Sequence, residues 1–261
     1  MIHIFLEIVK NLIRERFPIA HTGRPRASIE SILNGVLYVL KTGCPWRYLK
    51  KISYTSWQTV HRHFVEWSRQ NLFQRAYQHL VAVYIKRFGK RRQRLITDCS
   101  YIKNIAGRDC VGPCPVDRGR SATKLSVICD DVGVVLAASF HRGNKCDYKA
   151  FFHTLTQSRV VQGYAKSKVF LADRAYDNRR CDHMVSSIGM VNQCTRRGTR
   201  EHPIQRHRAV VEHVFAWLDK FRRIMVRYEQ HIPHFKSFTT IALAFRLTKV
   251  LGSDMLGEFA G

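Results

Sequence analysis

Three acidic residues stand out for the company they keep. Asp98 closes the apolar run Leu95-Ile96-Thr97, and Asp173 closes Val169-Phe170-Leu171-Ala172. An ionised carboxylate at the end of a buried strand is costly unless something compensates it. Glu212 lies in Val210-Val211-Glu212-His213-Val214-Phe215, where helical spacing turns Val211, Val214, Phe215 and Leu218 inward and leaves Glu212 on the flank. Arg208 precedes it by one turn and Asp219 follows by two on the same side. Such carboxylates could hold two divalent ions, hard cations that take oxygen ligands. Paired ions stabilise the attacking and leaving oxygens of phosphodiester transfer. The same pattern would equally serve carboxylates paired with neighbouring arginines, which are plentiful. The other strand-end acids have evident local tasks: Asp130 and Asp131 make a turn, and Asp147 sits at a helix N-terminus, where the dipole favours it.

The charge balance narrows the partner. The 261 residues carry 44 Lys+Arg against 19 Asp+Glu, a formal net charge of +25 spread along the chain. Self-repulsion of that size points to a polyanion, and nucleic acid is the leading one, because Lys and Arg displace counterions from phosphates. Membrane classes are excluded. The longest uncharged apolar stretch, Gly133 to Phe140, falls far short of the roughly 20 residues a spanning helix needs. Met1 to Phe17 is interrupted by Glu7, Lys10, Arg14, Glu15 and Arg16, unlike a secretory leader. A soluble, cytoplasmic protein with reduced thiols is expected from its eight cysteines. Cys110 and Cys114 form the only close pair, too few ligands for zinc, and read as loop thiols.

The elements that must position these residues fall into two stretches. Residues 1–90 read as a helical N-terminal domain. Helices are expected over 26–41, ended by Gly43 and Pro45, from 55 or 56 with Trp57, Val60, Phe64 and Trp67 on one face, and over 72–88. Helix, break, helix with basic and aromatic side chains fits either a helix-turn-helix, offering Gln58, Thr59, Arg62 and His63 to a major groove, or a plain helical bundle. Residues 91–261 read as an α/β domain: strands over 95–98, 125–129, 134–140, 168–172 and 190–193, and helices over 147–157, 178–187, 205–223 and 234–251. Two acids at the carboxyl ends of strands lie where open α/β sheets place their sites.

Along roughly residues 20–250 the chain resembles the DDE-type transposases of bacterial insertion sequences. The likeness rests on Gly23-Arg24-Pro25-Arg26, Leu33 to Leu40, Thr42-Gly43-Cys44-Pro45-Trp46-Arg47-Tyr48-Leu49, Ile96-Thr97-Asp98-Cys99-Ser100, Asp117-Arg118-Gly119-Arg120 with Lys124, Leu171 to Asp177, Arg208 with Glu212, and Phe221-Arg222-Arg223-Ile224 with Arg227-Tyr228. It implies a ribonuclease-H-like mixed sheet flanked by helices, preceded by an all-α domain that binds DNA ends. It also implies Asp98, Asp173 and Glu212 as ligands of two Mg2+ ions, with Mn2+ as a substitute. Arg62, Arg118, Arg120, Lys124, Arg208 and Lys220 are expected to contact double-stranded DNA, both transposon ends and target, and a homodimer to bring two ends together. Two positions depart from the family signature: Gln205 stands where it has Tyr, and Asp219 where it has Lys, with Lys220 next door. The alternative is therefore a DNA-binding protein of weakened catalysis derived from a transposase.

Overall fold

A computed structural model describes residues 2–18, 26–51, 55–194 and 205–257, with side chains except at 159–160, 205–208 and 253–257. In chain order the elements are α1 (His3–Arg16), α2 (Ile29–Thr42), a 3-10 stretch (Trp46–Lys51), α3 (Trp57–Arg69), α4 (Leu72–Phe88), β1 (Arg94–Asn104), β2 (Gly112–Pro113), β3 (Ser121–Asp130), β4 (Val135–Arg142), α5 (Asp147–Thr156), α6 (Arg159–Ala165), β5 (Val169–Leu171), α7 (Arg179–Ser187), β6 (Val191–Asn192), α8 (Gln205–Leu218), α9 (Arg222–Met225) and α10 (Ile232–Gly257). Neither α1 nor α6 was singled out in the sequence, and the motif start at Gly23-Arg24-Pro25 lies outside the described residues.

Packing divides the chain elsewhere than at residue 90. Residues 1–80 and 218–261 form one compact unit, and residues 81–217 another. The reason is the apolar face of α10. Phe235, Phe238, Ile241 and Ala242 are fully buried, and Phe238 stacks on Phe64 of α3 at 4.4 Å between ring centres. α2 ends as expected at Gly43, in a left-handed conformation at φ 70°, where an added Cβ would come within 2.9 Å of the Arg222 Cβ. Beside it Arg223 is buried. Its Nε donates to the Glu229 carboxylate at 2.7 Å, and its Nη1 reaches the carbonyls of Gly43 and Cys44 at 3.4 Å. Arg227, also buried, donates to the carbonyls of Glu229 and Gln230. The expected helix 205–223 is instead broken after Leu218, Phe221 adopting an extended conformation before the short α9.

The second unit is built on β1. On one side β1 pairs antiparallel with β3, which pairs antiparallel with β4 and, at its start, with β2. On the other side it pairs parallel with β5, which pairs parallel with β6. α5 covers the sheet with Ala150, Phe151, Thr154 and Leu155, Phe151 packing on Phe170 of β5 at 4.7 Å. Asp130 does more than turn the chain. It is fully buried and accepts from the Val132 and Val134 amides and, at 2.6 Å, from the Tyr84 hydroxyl. Burial raises its carboxyl above the ordinary range, and these three donors oppose the rise.

Two outcomes follow from the interior polar groups. Tyr84→Phe removes the shortest bond to a buried carboxylate and should lower unfolding stability by about 1–3 kcal/mol, read from the denaturant midpoint. His141, buried on β4 with its Nε2 at 2.6 Å from the Ser139 hydroxyl, is held down to about 4 by burial and by nearby His153, Lys145 and Lys124. Folded protein then binds fewer protons than unfolded protein between about 4 and 6.5, so stability present above 6.5 is lost as pH falls to 4. His141→Asn should flatten that loss in acid unfolding curves.

Candidate active site

β1 does not stop at Asp98. Antiparallel pairing with β3 carries it on through Asp98, opposite Val127, as far as Lys103. What stops is the parallel partner: β5 pairs with β1 only as far as Ile96 opposite Leu171. Asp98 and Asp173 each follow that last pair by two residues. Strand side chains repeat every two residues, so Asp98 shares the sheet face of Ile96, while at Asp173 the chain has left β5 and enters a 3-10 turn. Both are half-buried. Each spends one oxygen on local backbone: Asp98 Oδ1 accepts from the Cys99 amide at 2.7 Å, and Asp173 Oδ1 caps the 3-10 turn Arg174–Tyr176 by accepting from Ala175 at 2.9 Å.

That turn is anchored to β1. Tyr176 is fully buried, and its hydroxyl lies 3.5 Å from the Sγ of Cys99, while its ring meets Phe151 of α5 edge-on at 5.9 Å. Burial first, then the Cys99 contact, holds the phenol well above its ordinary value. Burial likewise pushes the Cys99 thiol up to about 12. Both groups stay neutral at physiological pH, so they act as struts and not as nucleophiles. Both residues lie within the two acidic motifs, Cys99 directly after Asp98 and Tyr176 three positions after Asp173. The signal was available in an aromatic residue three positions past an acid on a turn.

Glu212 is exposed on α8, whose inward residues include Val211 and Val214. The structure does not gather it with the two aspartates. Among the described residues, no three His, Cys, Asp or Glu side chains lie close enough together to hold a metal ion. Ionised carboxylates repel one another and close to ligand distance only around a compensating cation. The two aspartates offer hard oxygens suited to such a cation, Asp98 from β1 and Asp173 from the turn that follows β5, each tied by one oxygen to a backbone amide.

The expected DNA contacts divide. Arg118 and Arg120 are exposed on a tight turn, with Arg118 at φ 48°, Gly119 at φ 74°, and the Gly119 amide donating to the Cys114 carbonyl at 3.0 Å. Arg120 leans on Asp117 at 3.5 Å. Lys124, expected to contact DNA, is instead an interior residue. It is 2% exposed, its ammonium donates to Asp147 and to the Lys145 carbonyl, and it lies 4.7 Å from the centre of the Tyr101 ring. Burial alone would lower its pKa, yet the bonds with Asp147 and Tyr101 hold it raised. An ammonium so enclosed ties β3 to α5 and does not reach a phosphate. Arg62 is exposed on α3 with Gln58, whereas His63 is half-buried, pairs with Glu66 at 3.4 Å and leans on Trp67. Lys220 and Asp219 are exposed, and the side chains of Gln205 and Arg208 lie outside the described residues.

A mixed sheet with helices on it and acids at the end of its central parallel pair is a ribonuclease-H-like fold. The piggyBac transposase, solved in its synaptic complex with hairpin DNA, shares it at a TM-score of 0.50 and 10% identity, over 93% of this chain and 70% of that one. The catalytic domain of the Mos1 mariner transposase aligns at 15% identity over 68% of this chain and 91% of its own, with a TM-score of 0.30. Residues 114–247 match the family described as "Transposase DDE domain", and residues 6–77 the one described as "Putative transposase of IS4/5 family". The chain belongs to the family of transposases with a DDE domain. A curated relative, "Putative transposase for insertion sequence element IS402" from Burkholderia cepacia, is 31% identical over 131 residues. The match covers 48% of this chain and 62% of that protein's length. Divalent metal ions serve this family. Among the described residues no helix is long and apolar enough to cross a membrane.

The corrected role of Lys124 is testable. Lys124→Ala removes a buried ammonium together with its bonds to Asp147 and the Lys145 carbonyl, and should cost about 1–3 kcal/mol of stability. Below its melting temperature the variant should bind duplex DNA with an unchanged salt slope; a slope smaller by about one would return Lys124 to the phosphate contacts.

Proposed function

We propose that this chain binds the ends of an insertion sequence, cleaves them by metal-dependent attack on a phosphodiester, and joins them to target DNA in the cytoplasm. The observation that carries this reading is that Asp98 and Asp173 each stand two residues beyond the last pair of β1 and β5, Ile96 opposite Leu171. In it the two aspartates hold the metal ions, and Glu212 on α8 supplies the third carboxylate. Two Mg2+ ions, or Mn2+ in their place, would stabilise charge on the attacking and leaving oxygens and lower the pKa of an attacking water. The protein's own part is to orient. Tyr176 and Cys99 keep the two aspartates in fixed relation, and Arg118 and Arg120 take DNA phosphates at the exposed turn. Arg62, Arg208 and Lys220 add backbone contacts, each releasing counterions. The DNA-end contacts belong to the helical segment before residue 90, and phosphodiester chemistry to the residues after it. A homodimer would hold two ends at once, as a synaptic complex requires.

Asp98→Ala, Asp173→Ala and Glu212→Ala should each abolish Mg2+-dependent cleavage of a duplex carrying the element's terminal repeat. End binding in a mobility-shift assay should survive. Near-wild-type cleavage by any one variant removes that residue from the site. Glu212 is the sharpest case, because the structure does not gather it with the other two.

Arg118→Glu with Arg120→Glu should weaken duplex binding by about tenfold or more and flatten its dependence on salt. No change in either would clear the turn of DNA contact.

A second reading rests on Gln205 and Asp219. A carboxylate in the place of a DNA-contacting Lys repels phosphate, and the chain would then bind ends without cutting them. Nicking by Asp219→Lys, where the unaltered chain binds but does not nick, would establish that reading.

A further inference from the structure

The helical unit contains a pocket of about 490 Å3, lined by Gly43, Pro45, Trp46, Arg47, Trp57, Arg223 and Tyr228. Its size lies in the range of ligand sites, and its lining has an unusual make-up: three large aromatic rings and two guanidinium groups, with no acid. The Arg47 guanidinium sits 5.8 Å from the Trp57 ring centre, and the Arg223 guanidinium 5.2 Å from that of Tyr228. Arg223 is held by its bonds to Glu229, Gly43 and Cys44, so its charge is already compensated. Arg47 is exposed and supplies the pocket's outward positive charge. Trp46 is braced from behind by Phe64 and Phe238, at 5.3 and 5.9 Å between ring centres. Tyr228 stays 41% exposed, at the mouth.

Rings of this kind, fixed beside a cation and open to solvent, match the π-face of a nucleobase followed by its phosphate. A base inside a duplex cannot present that face, so the occupant must be unstacked. We propose that this pocket takes one unstacked nucleobase of the bound DNA, stacked between Trp57 and Tyr228, with the adjoining phosphate against Arg47. The proposal rests on the reading of the chain as a DNA-binding protein. It adds a contact that phosphate recognition does not supply, one that selects distorted or single-stranded DNA over intact duplex.

The test uses the full chain and two probes at one salt concentration: oligothymidylate of about 20 nucleotides and a duplex of equal length. Tyr228→Ala and Trp57→Ala should each weaken oligothymidylate binding about tenfold, Trp57→Phe should keep most of the affinity, and duplex affinity should change less than about twofold. A single 2-aminopurine in the thymidylate strand should lose emission on binding the unaltered chain and keep it with Tyr228→Ala. Variants with unchanged melting temperatures that bind oligothymidylate as tightly as the unaltered chain would overturn the proposal. So would an equal loss on both probes. Should Trp57→Ala fold poorly, Tyr228→Ala decides alone, because Tyr228 is 41% exposed. Failure of the unaltered chain to bind either probe would instead refute the DNA-binding reading itself.

Discussion

One constraint governs this molecule: β1 takes different partners along its two edges, and those partners end at different places. β3 accompanies it for nine paired positions, whereas β5 leaves after three. Beyond Ile96 and Leu171 one strand continues and the other turns away into a 3-10 turn. Past that pair the edge of β1 facing β3 stays hydrogen-bonded, so a charged side chain there rests on a rigid support. The acids stand where the two strands part. Tyr176, packed between Cys99 and Phe151, stops the departing arm from drifting.

Much of this was legible from residue order, and the failures are instructive. Apolar runs ending on an acid marked β1 and β5, and helical spacing marked α2, α3 and α10, because burial on one face leaves a period in the sequence. The continuation of β1 past Asp98 was not legible. Ser100, Lys103 and Asn104 resemble a loop, and only pairing with β3 makes them a strand. The break after Leu218 escaped for a similar reason. The 205–223 stretch keeps its helical period, and the interruption comes from Phe221 and Arg223 finding tertiary partners. Nor could sequence tell where Glu212 points, since a flank position on a helix is compatible with many directions.

Cations posed a different difficulty. With 44 Lys+Arg in the chain, the expectation was that they face DNA. Three with prominent places in the family motifs turn inward instead: Lys124 to Asp147, Arg223 to Glu229, and Arg227 to backbone carbonyls. A buried charge survives only with a geometrically good partner, so these positions tolerate little change whether or not DNA is present. Residue type alone does not separate such interior ties from surface contacts. Burial does, and it assigns Arg62, Arg118 and Arg120 to the solvent side.

The junction at Gly43 has a consequence for how this chain can be divided. Residues that complete the first helices are encoded about 180 positions downstream, where Arg223 closes on the Gly43 carbonyl. The intervening unit is therefore an insertion within a discontinuous one. A premature stop ahead of residue 218 would strip the leading helices of α10 and expose Phe64 and its neighbours to water. A frameshifted gene copy would then yield an aggregating fragment, not a competing DNA-binding repressor.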